Sequence, residues 1–349
     1  MTDIAIRHKN NPLLSPKDLK PSNENMIIEC LLNPGVFEFN GKIGLLVRVA
    51  ERTIQKEGRV SVPIYNEKGK VEILNFDVKD PKLDASDARI INYNGIDYLT
   101  TISHLRLLFS DDGISFKESA EYPSIFGEGK YETYGIEDCR VSQVNDTYYL
   151  TYTMVSSNGV GVGLRTTKDW KNFEKKGMIL SPHNKDCAIF EEKINNKFYA
   201  FHRPSSPELG GNYIWIAESF DGEHWGKHRC IAKTRKNKFD NKRLGAGASP
   251  IKTDKGWLMI YHGATEANRY CLGAILLEIE DPSKVIARSE APIMEPKEVY
   301  ERTGFFGEVI FTNGHIVKGD EIQLYYGAAD EFVGLATISI KEILKTLNQ

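Results

Sequence analysis

No run in this chain approaches the roughly 18 consecutive apolar residues that a membrane-spanning helix requires. The opening segment MTDIAIRHKNNPLLSPKD lacks the apolar core and basic flank of a secretory leader. Cysteine is scarce. The five residues Cys30, Cys139, Cys187, Cys230 and Cys271 are scattered and form no CxxC pair. That pattern argues against a zinc ribbon and offers no disulfide framework. The expectation is a reduced, cytoplasmic protein. An excess of one charge sign is also missing: 45 Lys and Arg against 48 Asp and Glu leave a net charge of −3. Binders of nucleic acid or anionic membranes need a basic face that releases counterions, so neither partner is expected. There is no HExxH motif. GVGVG at 159–163 lacks the Lys-Ser/Thr tail and the following helix of a phosphate loop, and reads as a Gly-rich strand turn. No metal and no cofactor are expected.

Helical periodicity is nearly absent as well; only SIKEILKTLNQ at the end reads as a short helix, about 340–349. What is present is a recurring unit. An apolar strand is followed by a turn, a strand rich in Tyr, Leu and Thr, a Gly-marked strand and a charged outer segment. VFEFNGKIGLLVRVAER and ARIINYNGIDYLTTI open two copies, and DCRVSQVNDTYYLTYTMVSSNGVGVGLRTTKDWKNFEKKG is the clearest. Echoes follow at CAIFEEKINNKFYAFHRPSS, SPIKTDKGWLMIYHGATEANRYCLGAILLEIEDPSKV and HIVKGDEIQLYYGAADEFVGLATISI. The turns Asn40-Gly41, Asn94-Gly95 and Asn145-Asp146 carry hairpin chemistry. Four-stranded units repeated at this spacing mark an all-β, propeller-type chain. Six units can be counted, or five if the two termini share one. The expectation is a single domain over 1–349 with an N-terminal extension at 1–30. A two-sheet sandwich is the alternative, and the regular spacing speaks against it.

In a propeller the inner strands converge on a central channel, so polar residues at equivalent points of the repeats should meet. Those residues are Arg48 and Arg52, Glu137, Asp138 and Arg140, then His183, Asn184, Lys185 and Asp186. His202, Arg203, Arg243, Tyr261, His262 and Asp330 complete the set. Most lie in or beside apolar strand sequence, where a charge must be paired or functional. Asp138 reads as a general acid, or else as a partner in salt bridges with Arg140. Lys185, Arg203, Arg243 and His262 read as an anion clamp, or else as ion pairs between repeats. Tyr134, Tyr152, Tyr213, Trp215, Tyr270 and Tyr325 are either sugar-stacking platforms or core.

At GIEDCR, PHNKD, FHRP, GAGASP and GWLMIYHG the sequence resembles glycoside hydrolase family 130. The resemblance spans NPLLSPKD to YYGAADE and is strongest to phosphorylases of β-1,2-mannobiose and β-1,2-oligomannan. It implies a five-bladed β-propeller with a central active-site channel. It also implies that Asp138 is the general acid, in a motif where Cys139 replaces the usual proline. Lys185, Arg203, Arg243 and His262 would bind phosphate. Asn33, Arg48 and Asp330 would hold the mannose beside the cleaved bond. Asn184, Asp186 and Tyr270 are further substrate-binding candidates, although the spacing of Tyr270 from YHG departs from the family's. The small-molecule partners implied are a mannoside and inorganic phosphate, and self-association into a homo-oligomer is a further expectation.

One acid with several cations suits phosphorolysis, because phosphate is already an anionic nucleophile and needs no base to activate it. By the resemblance, the proton reaches the departing oxygen through a hydroxyl of the bound mannose, and the product is α-mannose 1-phosphate. A β-1,2-mannosidase on the same fold would instead carry a second carboxylate as base. A non-catalytic carbohydrate-binding propeller would show no turnover. Linkage and chain-length preference depend on loops such as 121–134 and 204–212.

Overall fold

The computed structural model describes residues 3–87, 89–205 and 209–347. The chain is nearly all β. Five antiparallel sheets of four main strands follow one another along it. The leading strands, one per sheet, are Met26–Phe39, Ile136–Val144, Asn184–Ile189, Arg243–Ala246 and Ile310–Lys318. In the second and third sheets each strand pairs with the one before it, as tight hairpins dictate; in the fourth, Arg243–Ala246 and Ile251–Thr253 both pair with Gly256–Ala264. Asn40 and Gly41 both adopt positive φ, as do Asn94 and Gly95, which is the backbone that Asn-Gly hairpins supply.

Five apolar seams separate the sheets, one between each consecutive pair. Leu46, Leu105, Ile136 and Leu150 fill the first, Val162, Leu164, Ile189 and Ala200 the second. Phe190, Phe201, Trp257 and Tyr261 fill the third, and Leu272, Ile310, Leu324 and Ile338 the fourth. The fifth seam, with Leu31, Val47, Tyr325 and Leu335, joins the last sheet to the first. Inner strands are therefore covered on both faces. Gly256–Ala264 is buried at all nine positions, which explains why GWLMIYHGA reads as continuous apolar sequence rather than alternation. Outer strands such as Glu174–Leu180 and Gly226–Ala232 carry the lysines and arginines that keep sheet edges solvated.

The count of six units is corrected to five sheets. VFEFNGKIGLLVRVAER and the TTISHLRLLF segment belong to one sheet, because Lys42–Thr53 pairs directly with Thr101–Ser110. Residues 59–99 are an inserted arm of two small sheets, one of two strands and one of three. Its hairpin INYNGIDYL imitates a repeat because it shares the turn chemistry, but its strands are only four residues each and mostly half-buried or exposed. At the N-terminus, Ile6–Arg7 pairs with Phe332–Ser339 and so adds a fourth strand to the last sheet. The terminal helix spans Ile340–Leu347 and buries Ile343, Leu344 and Leu347 in the fourth seam; residues 348 and 349 of the expected helix lie outside the described residues.

Candidate active site

The leading strands carry much of the site, and four of the five carry an irregularity; Arg243–Ala246 pairs in unbroken register. The register shifts between Leu32 and Gly35, Glu137 and Arg140, Lys185 and Ala188, and Thr312 and Gly314. A bulge leaves one residue unpaired and re-aims its side chain. The residues so freed are Asn33, Asp138, Asp186 and Asn313, and all four are buried. Asp138 and Asp186 take φ of 49° and 53°, a left-handed backbone that Asp tolerates better than most residues. Asp330 shares it at 51°. Three strained carboxylates in one place are the kind of outlier that accompanies function.

Two glycines open the space these groups occupy. A Cβ on Gly245 would stand 2.2 Å from Asp186 Oδ2, and one on Gly327 would stand 2.1 Å from Asn33 Oδ1. Around Asp138, Arg48 donates to Oδ1 at 3.0 Å and Asn33 Nδ2 donates to the same oxygen at 3.1 Å. Arg48 also donates to Glu137 Oε1 at 2.8 Å and to Ser103 Oγ at 3.0 Å. Around Asp186, Arg140 donates to Oδ1 at 3.1 Å, and Arg203 forms an ion pair with Oδ2 at 3.0 Å. The Nε atoms of Arg203 and Arg243 are buried and have no hydrogen-bond partner among the described residues.

These groups border a cavity of about 490 Å3, within the usual range of small-molecule sites. Of the residues predicted from sequence, Asn33, Arg48, Asp138, Lys185, Asp186 and Arg203 line it, as do Arg243, Tyr270 and Asp330. His262 and Asn184 do not. His262 is fully buried behind the wall, with Nε2 3.5 Å from Asp186 Oδ2 and its ring 4.0 Å from that of Phe311. Asn184 turns to His202, its Oδ1 3.1 Å from Nδ1. Among the six aromatic candidates only Tyr270 reaches the cavity. Tyr134, Tyr152 and Tyr325 are buried and spend their hydroxyls on Asp97 O, Glu132 and Gly113 O. Loop 204–212 includes residues 206–208, which lie outside the described residues.

Sequence reasoning missed Phe305, Phe306 and Phe311, and also Arg89, Lys242 and Asn268. The GFFG run offered a signal: two aromatics between glycines, outside any strand pattern. Arg89 had none, because it comes from the inserted arm.

The electrostatics separate the carboxylates. Burial alone would push Asp138 up, but Arg48, Arg140 and Lys185 outweigh it and hold the carboxyl below its ordinary value. Asp186 is likewise disfavoured by burial yet held well below the usual range by Arg203 and Arg140. Asp330 goes the other way. Burial raises it to about 6 against the pull of Arg48, with the charges of Asp138 and Glu137 adding to the rise. His262 is pushed down to about 4 by burial, despite Asp186, so its imidazole is neutral at neutral pH. Among the described residues, Lys185 and Arg243 have no carboxylate within ion-pair distance, whereas Asp186 is already shared by two guanidiniums. The wall therefore presents surplus positive charge, with donors free to receive an anion. No group of three or more His, Cys, Asp or Glu among the described residues is arranged to hold a metal ion.

Comparison with known proteins bears on this geometry. The sequence model of glycoside hydrolase family 130, described as beta-1,4-mannooligosaccharide phosphorylase, matches residues 88–349. A beta-1,2-mannobiose phosphorylase of Listeria innocua is 44% identical over 98% of this chain and 98% of its own. A 1,2-beta-oligomannan phosphorylase of Thermoanaerobacter sp. is 41% identical over 69% of this chain and 80% of its own. The solved structure of the Listeria innocua beta-1,2-mannobiose phosphorylase, in complex with beta-1,2-mannobiose, superposes with a TM-score of 0.93 at 43% identity, covering 99% of both chains.

Proposed function

The chain belongs to glycoside hydrolase family 130, and we infer from that premise that it is a phosphorylase of β-1,2-linked mannosides. Inorganic phosphate would cleave β-1,2-mannobiose or longer β-1,2-mannooligosaccharides, releasing α-mannose 1-phosphate and mannose or a chain one unit shorter. The observation that carries the reading is the pair of carboxylate-free cations, Lys185 and Arg243, beside Arg203 in a cavity that also holds Asp138. A hydrolase would need a base for water. Asp186 is occupied by Arg140 and Arg203, which leaves Asp330 as the carboxylate that alternative would use.

In the proposed reaction a phosphate oxygen, held by Lys185, Arg203 and Arg243, attacks the anomeric carbon from the face opposite the leaving group. The glycosidic C–O bond breaks, and its oxygen takes the proton of Asp138, relayed by a hydroxyl of the mannose held by Asn33, Arg48 and Asp330. His262 would support the clamp with an imidazole N–H. Asp138 is ionised while the cations around it are unopposed. A phosphate seated against Lys185 cancels part of that field and raises the carboxyl towards the protonated form an acid needs. Nucleophile binding and acid loading are thereby coupled.

We further read the five sheets, with their five seams and the seam that joins last to first, as the blades of a closed five-bladed propeller with the cavity on its axis. The five cysteines are unpaired in the structure, which suits the proposed cytoplasmic setting. Phosphate would be the sole cosubstrate, with no cofactor, and the working form a homo-oligomer. The test is to incubate the protein with β-1,2-mannobiose with and without phosphate and to identify products by phosphorus NMR. Mannose 1-phosphate formed only with phosphate is expected. Equal cleavage to free mannose in phosphate-free buffer would overturn the reading in favour of a mannosidase.

A further inference from the structure

We propose that Phe305 and Phe306, together with Arg89, form the wall that binds the leaving-group sugar and sets the affinity for the acceptor in the reverse reaction. The inference rests on the phosphorylase reading above. Both phenylalanines line the cavity, yet they are 49% and 37% exposed. The ring contacts at this end of the cavity join His262, Tyr270 and Phe311 to one another instead.

The segment that carries the pair is held in place. Phe306 N–H donates to Ala329 O at 2.9 Å, and Tyr270 N–H donates to Glu308 O at 2.9 Å. Both attachments are at the site itself, since Tyr270 and Asp330 line the same cavity. The flanking glycines permit the close approach. A Cβ on Gly304 would stand 2.7 Å from Ala329 Cβ, and one on Gly307 would stand 2.4 Å from Arg302 O. The backbone that carries the rings is thus held at the cavity, and the rings themselves are not packed into a core. Rigid aromatic faces with few rotatable bonds bind a ligand at low entropic cost.

The matching ligand has one apolar face and a polar rim, which describes a pyranose. The polar complement is at hand. Lys242 and Asn268, paired at 2.9 Å, also line the cavity. So does Arg89, whose ion pair, with Asp87, is exposed. The leading strands supply Asp138, Lys185 and Arg243, and the strand Phe198–Pro204 supplies Arg203; in this reading they surround the reacting bond. The phenylalanines and Arg89 come from a loop and from the inserted arm, and they serve the sugar that departs.

The test runs the reaction in the synthetic direction, from α-mannose 1-phosphate with mannose as acceptor. For Phe305→Ala and Phe306→Ala the KM for mannose should rise about fivefold to tenfold while the KM for mannose 1-phosphate stays within about twofold. Phe306→Tyr, which keeps the ring, should restore the acceptor KM. An unchanged acceptor KM in both alanine variants, or an equal rise in both KM values, would overturn the wall. Wild-type protein without phosphate-dependent turnover would instead sink the phosphorylase reading. The wall is then judged by calorimetric binding of β-1,2-mannobiose, which both alanine substitutions must weaken.

Discussion

Gly245→Ala probes the site without replacing a charged group. Gly245 sits opposite His262 across the fourth sheet, and its added Cβ would lie 2.2 Å from Asp186 Oδ2 and 2.6 Å from His262 Nε2. Ordinary contact begins at 3.4 Å, so the carboxylate must move by ~1.2 Å. Asp186 has little room to do so. It is 2% exposed and held between Arg140 and Arg203 at 3.1 and 3.0 Å. The displacement passes to Arg203 and to Lys185, its partner across the strand pair. Misplacing reacting groups by about 1 Å costs on the order of 100-fold in rate, and overpacking costs about 1–3 kcal/mol of stability. Initial rates of β-1,2-mannobiose cleavage at varied phosphate should show kcat/KM for phosphate lowered about 100-fold. Gly226→Ala is the control, since its Cβ meets nothing within 4 Å. A Gly245→Ala protein with a reduced melting temperature but kcat/KM for phosphate within about threefold of wild type would refute the argument, because the clamp's position would then not matter.

Asp138→Asn should lower kcat for phosphorolysis by about 10²–10⁴-fold, the usual worth of a positioned acid, with the fold retained by circular dichroism; kcat within tenfold of wild type would remove it as the acid. Lys185→Ala should raise the KM for phosphate by about 10- to 100-fold, the value of a charge-assisted hydrogen bond of about 1.5–3 kcal/mol, and leave mannoside binding measured by calorimetry unchanged. Asp330 carries a pH signature. Its folded value, about 6, lies above the ordinary 3.8, so the stability it contributes is complete below about pH 4 and is lost as pH rises towards 6 and beyond. Asp330→Asn should therefore become more stable relative to wild type over that window, by at most about 3 kcal/mol. Parallel melting temperatures for the two proteins from pH 4 to 7 would contradict the shift.

Much of the site was legible because its chemistry is written in residue types that apolar strands do not otherwise tolerate. Asp138, Lys185, Asp186 and Arg203 stand out against IEDCRV, NKDCAI and FYAFHRP for that reason. The Asp-Cys pairs at 138–139 and 186–187 mark equivalent bulges in successive sheets, a repeat that pattern reading passed over. His262 and Asn184 share the same polar-in-apolar signature and yet stand behind the cavity wall. Asn184 stands next to the bulge at Lys185–Ala188, and a bulge reverses the alternation from which facing is inferred; His262 lies on a strand covered on both faces, where polarity does not show which side meets the cavity.

An all-β chain of repeated hairpin units was readable from the residues alone, as were the acid and the cations by chemical type, because turn chemistry and strand periodicity act over a few residues. The tertiary structure alone decided that 59–99 is an arm rather than a sixth unit, since that depends on Lys42–Thr53 pairing with a strand about 50 residues away. It alone joined Phe305 and Arg89 to one cavity, and it alone divided the carboxylates into two held ionised and one raised to about 6. Those outcomes are set by burial and by neighbours remote in the chain, which local composition does not encode.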